Sequence, residues 1–372
     1  MFQRIRKLVF WAHLVAGVAA GLFILLMACT GVVLSFERQI TAAADGFNLA
    51  SPGEAAKPEQ LVALVQAGDL KGASGLTISA DPTQPAAFQF GKEKTVFVHP
   101  QSGEVLGEGA KGTRAFFQFV TGLHRWLALK GEAQETGKSV TAAAGLVFFF
   151  IILSGLVIWI PKRWTRQGVK VITTFQPQLK GRARDWNWHN VLGIWFALPL
   201  LVISATGVVI GYPWANNLVF RLAGEEPPPQ KGKGPPPGGP AAAAIVTTGW
   251  NAAFATVQGQ SPGWQSIQFQ FPQGKATDGV FQVFNSHRGR PDLRQVITVD
   301  LASGEVRKTE RFADQSTGRR WRTWIRWVHT GEAGGWAGQL LAAFSALAAI
   351  TLVWTGLALS WRRWRKSRAA KV

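Results

Sequence analysis

The sequence predicts a mainly α-helical membrane protein with four transmembrane helices, arranged as two parallel repeats, and two α+β domains outside the membrane. Three observations lead to this fold class: long apolar runs, basic residues confined to one side of them, and an internal duplication. The length of 372 residues is sufficient for two or more domains.

The four apolar runs cover residues 8–36, 140–160, 188–212 and 335–361. Each can cross a hydrocarbon core of about 30 Å, which takes about 20 helical residues. None carries Asp, Glu, Lys or Arg in its central stretch, whereas a soluble helix of that length would have a charged face. We therefore interpret them as transmembrane spans.

The net charge of +19 reflects membrane topology and does not indicate a nucleic-acid partner. Basic residues precede the first run, fill the loop between the second and third, and follow the fourth. By the positive-inside rule these three segments face the cytoplasm. We expect a multi-pass protein of the bacterial inner (cytoplasmic) membrane, in contact with the lipid bilayer, with both termini cytoplasmic. The segments 37–138 and 213–334 then face the periplasm.

The first and third runs repeat one another around a histidine. His13 and His189 are each followed by a glycine four residues later, Gly17 and Gly193, and then by a matching motif. The motif is "TGVVLSF" from Thr30 in the first run and "TGVVIGY" in the third. Matching spacing over this distance indicates a duplication.

The outer segments repeat as well. "VHPQSGEV" at 98–105 matches "VDLASGEV" at 299–306, and each predicts a strand, a turn and a second strand. Further along, His124 and His329 each lie in an aromatic-rich helical segment that precedes a span. Because both copies begin on the cytoplasmic side, they should be parallel repeats related by an axis along the membrane normal. The other two histidines, His99 and His287, break the repeat and are predicted to be surface residues.

These features divide the chain into ten segments. They are transmembrane helix 1–36, outer domain 37–115, interfacial histidine segment 116–138, transmembrane helix 139–161, cytoplasmic loop 162–187, transmembrane helix 188–212, outer domain 213–321 with a Pro/Gly-rich linker at 224–240, interfacial histidine segment 322–334, transmembrane helix 335–361 and cytoplasmic tail 362–372.

Four histidines fall at membrane boundaries in two matched pairs, His13 with His189 and His124 with His329. Zinc would need further protein ligands, and the single cysteine and the carboxylate-free spans supply none. A b-type haem needs only two axial ligands, and methionine is nearly excluded because the chain has two. The pattern predicts two bis-histidine b haems, one near each membrane face. The alternative is buried or interfacial histidines without a ligand.

Other residues fit the same cofactor. Gly17 and Gly193, one turn from the first histidine pair, would let a porphyrin approach the helix backbone, or would serve close helix packing. Arg125 and Arg326, like Arg6 and Arg184, could pair with haem propionates or could set topology. Four tryptophans near the second pair suggest an aromatic belt or a platform for a bulky substrate: Trp126, Trp321, Trp324 and Trp327.

Several function classes are disfavoured. The spans lack the carboxylate that a proton-coupled transporter usually needs. The chain has no Rossmann fingerprint, P-loop, nucleophile elbow or HExxH motif. Without a flavin or nicotinamide domain, electrons would come from a separate donor, either a cytoplasmic reductant or a membrane quinol.

The duplicated "SGEV" segments, "LHRWL" at 123–127 and "SGLVIWIPKRW" at 154–164 resemble the PepSY-associated transmembrane proteins over nearly the whole chain. Within that family the sequence is most similar to the di-haem inner-membrane ferrisiderophore reductases of the ferrioxamine reductase type. The resemblance implies PepSY-like outer domains, haem ligation by His13, His189, His124 and His329, and reduction of iron(III) in a siderophore on the periplasmic side.

Two other functions remain open. The first is a membrane-anchored PepSY sensor or regulator that binds a peptide or protein without redox activity. The second is a permease for the siderophore. A permease would need polar groups inside the spans or broken helices, and the apolar runs predict neither.

Overall fold

The computed structural model describes residues 2–49, 57–65, 70–91, 94–161, 164–229, 248–271, 277–286 and 290–369. The chain forms two compact units. The helical unit comprises Met1–Glu37, Ala115–Leu222 and Arg322–Val372, and the sheet unit comprises Arg38–Arg114 and Ala223–Trp321. His287 and the predicted linker from residue 230 onward lie outside the described residues.

The described helices are α1 (Phe2–Leu34), α2 (Glu37–Asp45), α3 (Pro58–Leu64), α4 (Lys111–Trp126), α5 (Ala133–Trp159), α6 (Arg166–Thr173), α7 (Gly181–Trp195), α8 (Ala197–Gly211), α9 (Pro213–Leu222), α10 (Trp250–Gln260), α11 (Thr317–His329) and α12 (Gly335–Ala369). The strands are β1 (Gly75–Ser79), β2 (Ala86–Phe90), β3 (Lys94–Val98), β4 (Val105–Gly107), β5 (Ser266–Gln270), β6 (Asp278–Phe284), β7 (Arg294–Asp300) and β8 (Val306–Arg311).

The described part of the chain has three helices that are long and apolar enough to cross a membrane, α1, α5 and α12, and a fourth span if α7 and α8 count as one. This confirms a multi-pass membrane protein. In the helical unit, α1 packs against α5 and α12, and both of these helices contact α7 and α8. Large apolar side chains such as Leu22 and Leu198 are each 71% exposed, as expected for helix faces in contact with lipid.

The third span is not the straight helix that the sequence suggests. α7 and α8 meet at Phe196 with a bend of 67°. Pro199 explains the break, because proline has no N–H to donate and its ring occupies the space of the carbonyl four residues earlier, that of Trp195. The helical unit also buries hydroxyl side chains, among them Ser154 and Thr355. The expectation of unbroken spans without interior polar groups, which disfavoured a permease, is therefore wrong.

The connection between α4 and α5 is strained. Leu127 and Ala128 have φ values of 55° and 54°, in the left-handed region that L-residues with side chains rarely adopt. The N–H of Ala128 donates to the Gly122 carbonyl (2.9 Å), which closes the end of α4. Because α4 carries His124 near this end, the strained pair helps to fix where that histidine lies.

Ala128→Gly is expected to raise the free energy of unfolding by about 1 kcal/mol, since glycine adopts positive φ without the steric penalty. Thermal unfolding of the detergent-solubilised protein would measure it. The matched control is Gly131→Ala in the same connection. Gly131 has φ 59° and open space where a Cβ would lie, so this change should lower stability by a similar amount. A change of the same sign in both variants would contradict the strain argument.

The sheet unit contains one antiparallel sheet with the strand order β4-β3-β2-β1-β5-β6-β7-β8. The sequence predicts a separate α+β domain for each outer segment, but the strands of the two segments join where β1 pairs with β5. Thr77 lies opposite Gln268 at the centre of this pairing. Counted outward from the central β1–β5 pair, each half of the sheet therefore has its strands in chain order, β1 to β4 on one side and β5 to β8 on the other.

One face of the sheet carries the core of this unit. Trp250 of α10 is fully buried and stacks on Phe269 with ring centroids 4.8 Å apart. In β6 the buried residues Phe281 and Val283 alternate with less buried ones, which is the period of a half-buried strand. α3 is joined to the start of α10 because the Glu59 carboxylate accepts hydrogen bonds from the N–H of Gly249 (2.7 Å) and the side chain of Asn251 (3.0 Å).

The repeated "SGEV" motifs form matching turns between β3 and β4 and between β7 and β8. In the second turn Asp300 Oδ1 accepts from the N–H groups of Ala302 (2.8 Å) and Ser303 (3.0 Å). The hydrogen bond from the Ser303 N–H makes the largest contribution to lowering the pKa of Asp300, and the hydrogen bond from the Arg307 guanidinium makes the next largest. In the first turn His99 Nδ1 accepts from the equivalent N–H groups, at 3.4 and 3.3 Å. His99 is thus a turn-closing residue that takes the place of an aspartate.

Candidate functional site

The first predicted histidine pair lies together inside the helical unit. The ring centroids of His13 on α1 and His189 on α7 are 6.5 Å apart, and their planes are nearly perpendicular at 85°. Two imidazole nitrogens on opposite sides of one metal, each with a bond of about 2.0–2.1 Å, place the ring centres about 6 Å apart. The observed separation therefore fits two axial ligands of a single metal.

Both rings line a cavity of 740 Å³. Its wall is mainly apolar and includes the glycines Gly17, Gly21, Gly155, Gly193 and Gly356. Nothing lies within 4 Å of the position that a Cβ on Gly17 would occupy. A volume of this size is within the range of about 300–1,000 Å³ for small-molecule and cofactor sites. The glycines predicted from the sequence, Gly17 and Gly193, thus both face this space.

The polar lining of the cavity comes from α7 and from the second half of α12. It includes Arg182, Asn190, Ser360 and Arg363. Trp159, another lining residue, has a buried indole N–H without a hydrogen-bond partner in the described structure. This combination of an apolar body, two guanidinium groups and a free indole donor suits a flat apolar molecule with anionic substituents.

The second pair lies near the other end of α1. His124 on α4 contacts Thr30, which is seventeen residues after His13 and hence about 25 Å farther along the helix. His329 on α11 contacts α8. α4 and α11 are not among the candidate spans. Burial is the main reason that the pKa of His124 is lowered to about 4, and electrostatic repulsion from nearby His329 is the second. The imidazole of His124 is therefore neutral at physiological pH.

The four rings share one kind of support. In each case Nδ1 is hydrogen-bonded to a hydroxyl on another helix. The pairs are His13 with Ser154 (2.9 Å), His189 with Thr355 (2.9 Å), His124 with Thr30 (2.8 Å) and His329 with Thr206 (3.1 Å). Each hydroxyl residue is followed by a glycine: Gly155, Gly356, Gly31 and Gly207.

Sequence reasoning missed these hydroxyl–glycine pairs as functional residues. The signal was present, because each of the four spans contains one Ser–Gly or Thr–Gly dipeptide at a repeated position. The dipeptides marked the duplication but were not connected with the histidines, since the contact joins residues up to 166 positions apart in the chain.

The described residues contain no group of three or more His, Cys, Asp or Glu side chains that could hold a bare metal ion. A haem requires only two axial ligands from the protein. The chain belongs to the PepSY-associated TM region family. The family model matches residues 10–363, which include both histidine pairs and all four hydroxyl–glycine pairs. No curated protein matches the chain.

Two of the four arginines predicted as partners of the cofactor in this PepSY-associated protein, Arg6 and Arg184, do not line the cavity, and the role of Arg125 and Arg326 beside the second pair stays a prediction. Arg6 donates to the Ile158 carbonyl (2.6 Å), and Arg184 pairs with Asp185 (2.9 Å). Neither lines the cavity, where Arg182 and Arg363 are found instead. Arg125 and Arg326 lie over the indole rings that follow them in sequence, with centroid distances of 5.2 and 5.3 Å to Trp126 and Trp327.

The four tryptophans proposed as a substrate platform are divided between the two units. Trp126, Trp324 and Trp327 belong to the helical unit, whereas Trp321 belongs to the sheet unit and is 47% exposed. Trp126 packs close to Gly122 within α4. The substrate role of these residues stays a prediction.

An acidic side chain holds the beginning of each helix that carries a histidine of the second pair. Asp45 Oδ1 accepts from the N–H of Ala110 (2.8 Å), just before α4, and its carboxylate pairs with Arg114. Glu225 accepts from the Ser316 hydroxyl (2.6 Å) and from the N–H of Gly318 (3.0 Å) at the start of α11. Both hydrogen bonds lower the pKa of Glu225, and the one from Ser316 has the larger effect. The two acids satisfy N–H groups at or near a helix N-terminus.

Proposed function

We propose that this PepSY-associated protein is a di-haem b cytochrome of the bacterial inner membrane. It would carry electrons across the bilayer and reduce iron(III) held in a ferric siderophore on the periplasmic side, with release of Fe(II). Both termini would lie in the cytoplasm, and the two halves of the chain would be parallel repeats. The observation that carries the proposal is the His13–His189 pair, with ring centroids 6.5 Å apart across a glycine-lined cavity.

His13 and His189 would hold one haem, and His124 and His329 the second. A haem bound by two histidines supplies reversible one-electron transfer without an open coordination position. The protein would provide the two imidazoles that hold the haem, a mainly apolar wall, and glycines that leave room for a flat ring. Arg182, Arg363 and the indole N–H of Trp159 would provide charge and hydrogen bonds for its carboxylate substituents.

The proposed acceptor follows from the chemistry of iron chelates and from the family resemblance. Hydroxamate and catecholate oxygens are hard donors that favour Fe(III) over the softer Fe(II), so one electron weakens the chelate enough to release the metal. The electron donor would be a cytoplasmic reductant or a membrane quinol. On this proposal the protein sets the position and the reduction potential of its haems, and the siderophore iron dissociates from its chelate after reduction without further help from the protein.

The absorption spectrum of the protein purified from haem-replete cells tests the proposal. A Soret band, α and β bands that appear on dithionite reduction, and about two haems per chain, one for each pair of axial histidines, are expected. The reduced protein should then be reoxidised by a ferric siderophore added under anaerobic conditions. A colourless preparation would favour the alternative of a PepSY sensor without redox activity. Haem that no ferric chelate reoxidises would point to another acceptor.

A further inference from the structure

The hydrogen bonds around the four histidines determine which ring nitrogen carries the proton. Each supporting hydroxyl lies in a helix and bonds to a carbonyl of its own preceding turn. Ser154 bonds to Ile151 (3.0 Å), Thr355 to Thr351 (2.7 Å), Thr30 to Leu26 (2.8 Å) and Thr206 to Val202 (2.7 Å). A carbonyl only accepts, and a hydroxyl has one hydrogen, so that hydrogen is used within the helix.

The hydroxyl oxygen can then only accept from the imidazole. The proton must therefore be on Nδ1 in all four rings. A second set of contacts supports this assignment, because each imidazole also interacts with the backbone carbonyl three residues before its hydroxyl. For His329 this acceptor is the Ile203 carbonyl at 3.0 Å from Nδ1. The equivalent carbonyls for the other three rings belong to Ile151, Met27 and Leu352.

With the proton on Nδ1, Nε2 of each neutral ring has a free lone pair. Among the described residues, every hydrogen bond of these four rings is made at Nδ1. Nε2 is thus the nitrogen available to a metal. The glycine after each hydroxyl leaves space for the ring, because it has no side chain there. A Cβ there would lie 3.2 Å from Cε1 of His329, 3.3 Å from that of His13, 3.4 Å from that of His189 and 3.8 Å from that of His124.

We propose that the four dipeptides Ser154–Gly155, Thr355–Gly356, Thr30–Gly31 and Thr206–Gly207 are positioning elements that hold each histidine as the Nδ1–H tautomer and direct Nε2 to a haem iron. This inference rests on the proposed function and adds the residues that set the geometry and basicity of the ligands. An acceptor on Nδ1–H makes an imidazole a stronger donor to metal and so favours the ferric state. Each dipeptide tunes the haem bound by its own histidine.

Thr355→Val removes the acceptor of His189 while keeping the side-chain shape in α12. It is expected to weaken haem retention about tenfold or more at the His13–His189 site. The haem that remains there should have a higher midpoint potential, by about 59 mV for each tenfold loss of preference for ferric iron. Haem content per chain, spectroelectrochemical titration and the low-spin ferric EPR signal measure these effects without an activity assay. Thr355→Ser, which keeps the hydroxyl, should behave as the unchanged protein.

Thr351→Val is the matched control, since Thr351 bonds to the Leu347 carbonyl (3.1 Å) one turn earlier in α12 and contacts no histidine. It should leave all three readouts unchanged. Gly356→Ala provides a second variant that keeps the hydroxyl: its methyl group would lie 3.4 Å from His189 Cε1, in direct contact with the ring, and is expected to change the EPR signal. If Thr355→Val matches the unchanged protein in haem content, potential and EPR signal, the inference is overturned, whatever the result for Gly356→Ala. If the unchanged protein contains no haem, the proposed function fails first.

Discussion

His189→Ala is expected to lower the haem content of the purified protein from about two to about one per chain, because the haem proposed between His13 and His189 would lose one of its two protein ligands. His13→Ala should give the same loss, and the double variant should lose no more than either single one. The remaining haem should keep the potential and EPR signal of the His124–His329 site. Pyridine haemochrome quantification with redox titration measures both.

The control for this experiment is His99→Asp. His99 closes a turn in the sheet unit with the hydrogen-bonding pattern of Asp300, so aspartate should keep the turn and the haem content should not change. Size-exclusion chromatography establishes that each variant is folded. The pairing would be wrong if His13→Ala and His189→Ala removed different haems, or if either variant retained both.

His124→Ala is expected to abolish electron delivery to a ferric siderophore while leaving the His13–His189 haem in place. The proposed path to the periplasmic side ends at the His124–His329 site, so reoxidation of the dithionite-reduced protein should slow by more than about 100-fold, beyond what the loss of a supporting group alone causes. Anaerobic stopped-flow absorption, followed at the Soret band, gives the rate.

His329→Ala should behave as His124→Ala does, and Thr351→Val should reoxidise at the rate of the unchanged protein. A His124→Ala protein that contains one haem and still reduces the chelate at the normal rate would place the exit of electrons elsewhere. Electrons would then leave from the His13–His189 site, or the two haem sites would each reduce the chelate independently.

Local features of the chain were enough to predict much of this architecture. The apolar runs correspond to α1, α5, the α7–α8 pair and α12, because the length and composition of a span depend on the bilayer more than on its neighbours. The "SGEV" motifs predict the two matching turns, because the conformation of a short turn is set within a few residues. The duplication also predicts which histidines meet, and the structure brings His13 and His189 together.

Other features depend on contacts between distant segments. Arg182 and Arg363 line the cavity instead of Arg6 and Arg184, because the rotation of α7 and α12 is set by helix packing and not by the count of nearby charges. The joining of two predicted domains through the β1–β5 pair likewise depends on an edge-to-edge pairing. The break between α7 and α8 could have been predicted from Pro199, but its bend of 67° could not.

The sequence by itself was enough to identify a membrane protein and to predict the repeat and the four histidines, since long apolar runs, matched motifs and a polar ring in or beside a span can all be recognised along the chain. Only the tertiary structure showed what holds those rings. The hydroxyl that meets each imidazole is on another helix, 94 to 166 residues away, and a hydrogen bond of about 3 Å requires both helices to have the right depth and rotation. That relation between helices is a property of their packing, which no local pattern encodes.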